Sequence, residues 1–93
     1  MATKMNGGKK LKEMYNEANA YCENAIIAKN REDGKPIIVD GKKARKAISK
    51  ASEAIGAHEY AEPMLEKDST KRKEYRERCN ELENKRNQLS DFE

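Results

Sequence analysis

The segment DGKPIIVDGK, residues 33–42, decides how this chain folds. On both sides of it, apolar residues recur at helical spacing among many charged ones. Within it, the β-branched residues Ile37, Ile38 and Val39 run consecutively between two Asp-Gly pairs. β-Branched side chains are stiff at χ1 and favour extended backbone, and Gly and Pro punctuate elements. The segment therefore separates two helices rather than continuing one. The first reading makes it a connection whose apolar residues fold over the open end of the core, with Pro36 stiffening the entry and Gly41 easing the exit. A second reading makes Ile37, Ile38 and Val39 an exposed extended edge that pairs with a partner's strand. Lys35 and Lys42 then flank it as gatekeepers against aggregation. A third reading pairs it, as a hairpin, with part of the N-terminal arm.

Upstream, Leu11, Tyr15, Ala18, Cys22 and Ala25 follow a 4, 3, 4, 3 spacing, widened by Met14, Tyr21 and Ile26. This pattern predicts an amphipathic helix over about residues 9–30, with Gly34 as its stop. Residues 1–8, which include Gly7 and Gly8, read as a flexible arm, and residues 9–93 as one domain. Downstream, Asp40 is a natural N-cap, because its carboxylate can accept from free amides of the first turn. Ala44, Ile48, Ala51 and Ile55 repeat the spacing, flanked by Ala47 and Ala54. Gly56 weakens or ends this second helix, and Pro63 forbids an unbroken run beyond it. Residues 57–69 then form a bend, with Met64 and Leu65 as plugs over the bundle end. Asp68 or Ser69 caps a third helix along Tyr75, Cys79, Leu82, Arg86, Leu89 and Phe92. Its acid-first pairs Glu74–Arg78 and Glu81–Lys85 each add about 0.3–0.5 kcal/mol. Three stripes of one period predict an all-α, antiparallel three-helix bundle with a long helix 1–helix 2 connection. A helical hairpin that dimerises along helix 3 is the alternative.

Composition limits the functional classes. Charged residues make up 40% of the 93 residues and hydrophobic ones 35%, so the core is thin. Five aromatics and no Trp give a poor stacking platform for single-stranded nucleic acid. The net charge of +3 is uneven: residues 1–50 hold twelve Lys/Arg against six Asp/Glu, whereas residues 51–65 hold three Glu and no Lys or Arg. Cys22 and Cys79 lack CxxC spacing, which argues against a metal or redox motif and for buried free thiols. The start MATKMNGGKK has no apolar stretch of a secretory signal, and no apolar run nears the ~20 residues of a membrane helix. These features predict a cytoplasmic chain without membrane insertion.

Little in the sequence points to catalysis. His58 has only Glu59 and Glu62 nearby and reads as a solvent or bend residue, since a metal site needs three or four spaced ligands. There is no Gly-rich phosphate loop. The chain is expected to be no enzyme and to carry no cofactor, metal or catalytic residue. The basic cluster DGKKARKAISK is more informative. Lys42, Lys43, Arg45, Lys46 and Lys50 crowd the start of helix 2, where free amides and the macrodipole already favour anions. The plain reading is a solvated face that keeps a thin-cored protein soluble. The functional reading is a docking site for an acidic or amphipathic segment of another protein on helices 2 and 3, with Arg76 and Lys85 contributing from helix 3. Two alternatives stand beside this adaptor reading. One is a small basic nucleic-acid-binding protein. The other is a homodimeric structural or inhibitory protein, the chain otherwise being a monomer or weak homodimer.

The stretch STKRKEYRERCNELENKRNQL, residues 69–89, resembles the third helix of MIT (microtubule-interacting and trafficking) domains in its order of Arg76, Arg78, Cys79, Leu82, Lys85 and Leu89. KKARKAISKASEAI, residues 42–55, resembles the Ala-rich second helix of that family through Ala44, Ala47 and Ile48. The resemblance implies a three-helix bundle that binds short helices or extended segments of partner proteins in its grooves. Glu83 and Arg86 depart from it, standing where the family has an apolar and a small residue.

Overall fold

The computed structural model describes residues 7–32 and 34–90, with side chains from residue 10 onward. Residues 1–6 of the expected arm, Asp33 and Phe92 lie outside the described residues. The elements are helix α1 (Gly7–Ala25), strand β1 (Ile26–Ala28), strand β2 (Ile38–Val39), helix α2 (Gly41–Ala61), a 3-10 turn (Glu62–Met64) and helix α3 (Thr70–Ser90). The three helices pack as the expected antiparallel bundle. The central helix α2 has α1 on one side and α3 on the other, and the direct α1–α3 seam is the slimmest. Helices of about 31 Å set the longest dimension of a body measuring 44 × 25 × 16 Å.

Small residues set the α1–α2 packing. Ala18, Cys22 and Ala25 are fully buried on α1, and Ala44, Ala47, Ala51 and Ala54 are buried on α2. Without long side chains between them, the two backbones approach closely. The α3 side is filled instead by Tyr75, Cys79, Leu82 and Leu89. Ile48, expected on the inner stripe, is only half-buried, because Ala47 and Ala54 take the centre and Ile55 fills the gap beside them.

The first helix is shorter at its C-terminus and longer at its N-terminus than its periodicity indicates. Gly7 and Gly8, read as arm, are already helical. At the other end α1 stops at Ala25, and Ile26–Ala28 becomes β1, which pairs antiparallel with β2 at Ile26↔Val39 and Ala28↔Ile38 across a bulge. The physical reason is local. The β-branched pair Ile26–Ile27 favours extended backbone, and the returning connection satisfies the helix end, with Asp40 N–H donating to the Ala25 carbonyl at 2.8 Å and Ile37 N–H to the Ala28 carbonyl at 2.9 Å. The DGKPIIVDGK segment therefore does form a strand, but its partner is the residues that directly follow α1 and not the N-terminal arm. Gly34 is no helix stop either. It sits in the ribbon turn at φ 81° and donates to the Arg31 carbonyl at 3.1 Å. That positive φ is one that glycine adopts without strain.

The helix caps follow the sequence. Asp40 caps α2 by accepting from Lys43 N–H at 3.0 Å. Ser69 Oγ accepts from Arg72 N–H at 3.2 Å at the start of α3. Gly56 neither ends nor interrupts α2; it lies on the exposed face, and the helix runs on to Ala61. Pro63 falls in the 3-10 turn beyond, where its missing N–H costs little.

Candidate functional site

One pole of the bundle gathers the ribbon and the start of α2. Asp40 joins them: its N–H ties back to the end of α1 while its carboxylate caps α2. Beside it the ribbon leaves Ile27, Ile37 and Ile38 exposed at 63%, 47% and 49%. Val39 is half-buried and packs on the core, and Pro36 is fully buried. The expectation that this connection folds over the core thus holds for Pro36 and Val39, while Ile37 and Ile38 turn outward. Lys42, Lys43, Arg45 and Lys46 project to solvent from the first two turns of α2, whose first turn carries no acidic residue. The side chains of Lys42, Lys43 and Arg45 make no ion pair among the described residues, and Lys46 Nζ lies 5.3 Å from the centroid of the Tyr21 ring. Exposed branched apolar groups and unneutralised cations therefore lie side by side at a helix N-terminus, an arrangement that attracts negative charge.

The other cations predicted to join this site are held elsewhere. Lys50 pairs with Glu17 at 2.9 Å, and that hydrogen bond raises its pKa. Arg76 lies at the opposite pole and donates to Glu62 at 2.9 Å. Lys85 sits in the α1–α3 seam, donating to Asn19 at 2.6 Å with Glu23 and Glu81 at 3.5 and 3.7 Å. In the same seam the Tyr15 hydroxyl donates to Glu81, and burial with that bond raises the phenol pKa. Along the α2–α3 seam Arg86 reaches Ser52 at 3.3 Å. Arg76, Lys85 and Arg86 are therefore spent on holding the bundle together, whereas Lys42, Lys43 and Arg45 at the start of α2 stay unpaired among the described residues.

The opposite pole carries an open cavity of about 640 Å³. Leu11 and Met14 of α1 face Ala57 and Ala61 of α2 across it. Met64, Leu65 and Tyr75 complete the wall, and Lys10 and Tyr60 stand at its edge. Met64 is 70% exposed and Leu65 half-buried, so the two residues expected to plug this end instead line an opening, beside Tyr60 at 75% exposure.

His58 is no solvent residue. It is fully buried, with Nδ1 2.7 Å from the Ala54 carbonyl, Nε2 3.5 Å from Arg78 Nη1, and its ring edge-on to Tyr75 at 5.2 Å. A carbonyl opposite Nδ1 and a guanidinium opposite Nε2 require the neutral ring protonated at Nδ1. Burial accordingly lowers its pKa, with Arg78 adding to the effect. The signal was present in the sequence, since His58 continues the Ala44, Ala51, Ile55 stripe.

Both thiols are free and buried. Desolvation pushes the Cys22 thiol up, and desolvation with Glu59, Glu83 and Glu62 pushes Cys79 up to about 11. Such thiols carry little thiolate and are poor nucleophiles. Among the described residues no group of three or more His, Cys, Asp or Glu is placed to hold a metal ion, and no helix is long and apolar enough to cross a membrane. Comparison with protein-family models, curated proteins and solved structures finds no match to this chain.

Proposed function

We propose that this chain is a non-catalytic docking module that takes an acidic or amphipathic segment of another protein, steered by the basic start of α2. The observation that carries this reading is the adjacency, at one pole, of exposed Ile27, Ile37 and Ile38 with the unneutralised Lys42, Lys43 and Arg45. Such a surface offers an apolar centre for affinity and a cationic rim for orientation, the division seen at interfaces generally. The likeness of residues 42–55 and 69–89 to MIT domains supports the same class of activity. The contact is drawn to the α2 pole because Arg76 and Lys85 already serve Glu62 and the α1–α3 seam.

The test is affinity capture from native lysate across a salt series, with and without nuclease, using the wild-type chain, Lys43→Glu/Lys46→Glu and Ile38→Glu. A discrete protein retained by the wild type after nuclease and moderate salt, and lost with both variants, supports docking. Capture that disappears with nuclease and falls steeply with salt identifies a nucleic-acid binder, because each neutralised phosphate releases counterions. A partner bound equally by both variants rules out this pole.

A further inference from the structure

We infer that the cavity at the α2 C-terminal pole binds a free single-chain amphiphile with one anionic headgroup. The inference is independent of the docking surface, which lies at the other end of the bundle. A volume of about 640 Å³ falls within the ~300–1,000 Å³ typical of small-molecule sites. The wall is almost wholly apolar: among its described residues only Lys10, Tyr60 and Tyr75 carry a polar side-chain atom. Its floor is built from the small pair Ala57 and Ala61, one turn apart on α2, which leaves room for an alkyl chain between α1 and α2. Met14 and Met64 supply flexible, polarisable contacts that adapt to such a chain.

The headgroup follows from charge. Among the described residues Lys10 is the one charged side chain at the edge, exposed and without an ion pair. It lies in the first turns of α1, which carry no acid in the first turn, so the macrodipole reinforces its field. Glu62, just beyond α2, does not oppose it, because Arg76 and Arg72 hold that carboxylate at 2.9 and 3.5 Å. One cation beside an apolar trough matches one anion on an apolar tail.

The experiment is a titration of the full chain with dodecanoate below its micellar range. It is followed by amide chemical shifts and by tyrosine fluorescence, which is clean because the chain has no Trp. Saturable one-to-one binding is expected, with shifts centred on Ala57, Ala61 and Leu65. Ala57→Phe and Ala61→Phe, which fill the space, should abolish binding while circular dichroism shows an intact bundle. Lys10→Glu, at an exposed position, should weaken it by about fivefold, the upper end of one exposed ion pair. Methyl dodecanoate, which carries no charge, should bind the wild type and Lys10→Glu equally. No saturation, shifts away from this cavity, or binding untouched by the filling variants would overturn the inference. So would binding only to phosphatidylglycerol vesicles, which would make the site a membrane contact. A wild-type dimer that Ala57→Phe dissociates would mean that a second copy covers the cavity.

Discussion

His58 is the residue whose environment departs most from its usual one. Buried and neutral between the Ala54 carbonyl, the Arg78 guanidinium and the Tyr75 ring, it titrates below its ordinary range. The unfolded chain takes up a proton on this ring first as the pH falls, so the unfolded state binds more protons between the folded pKa and about 6.5. Stability is therefore fully present above pH 6.5 and is lost as the pH drops through the folded value. Urea melts at pH 7.5 and pH 5 should show the midpoint falling on acidification, and His58→Phe should show a smaller fall. The alanines make the opposite kind of statement. Ala47 and Ala51 have no exposed surface where α1 meets α2, so Ala51→Leu should cost about 1–3 kcal/mol by overpacking. Leu82→Ala, which leaves a hole on the α3 side, should cost about 2–5 kcal/mol. Thermal melts of these two variants measure both packing regimes.

At the scale of elements, the ribbon and the caps determine where helices begin and end. Asp40 both caps α2 and, through its own N–H, closes the end of α1. Asp40→Ala removes only the side-chain bond and should cost about 1 kcal/mol. Asp40→Pro also removes the N–H that meets the Ala25 carbonyl and should cost measurably more, with lost amide-exchange protection at Ile26–Ala28. Equal stability of the two variants would mean that the ribbon does not tie α1 to α2. The pairing of β1 with β2 was only partly legible. Three β-branched residues announced an extended segment, yet the helical stripe of Leu11 to Ala25 ran on through Ile26, so nothing local showed that Ile26 and Ile27 would leave the helix. That choice rests on backbone pairings with residues 9 to 15 positions away.

For the whole molecule, charge is divided by role. The α1–α3 seam, the slimmest of the three, is bridged by Lys85 to Asn19 and Glu23 and by Tyr15 to Glu81. Because these groups are partly exposed, Lys85→Ala should cost only about 1 kcal/mol, smaller at high salt, by denaturant titration at two ionic strengths. By contrast, Lys43→Glu should leave the unfolding midpoint unchanged or slightly raised, because among the described residues that side chain makes no ion pair and a carboxylate suits the first turn of α2. Lys85 has Glu81 one turn before it on its own helix, which Lys43 lacks, but only the packing of α1 brings Asn19 and Glu23 to Lys85.

The sequence by itself determined the three helices, the cap at Asp40, a third-helix cap at Asp68 or Ser69, the inner stripes and the basic start of α2, because all of these arise from interactions within a few residues. The tertiary structure alone decided the ribbon's partner, the Arg78 and Tyr75 neighbours of His58, the pairing of Lys50 with Glu17, of Arg76 with Glu62 and of Lys85 with Asn19 and Glu23, and the cavity between α1 and the end of α2. Each of these depends on groups distant in the chain arriving at one place, and helical periodicity specifies which face of a helix is apolar without specifying what that face will meet.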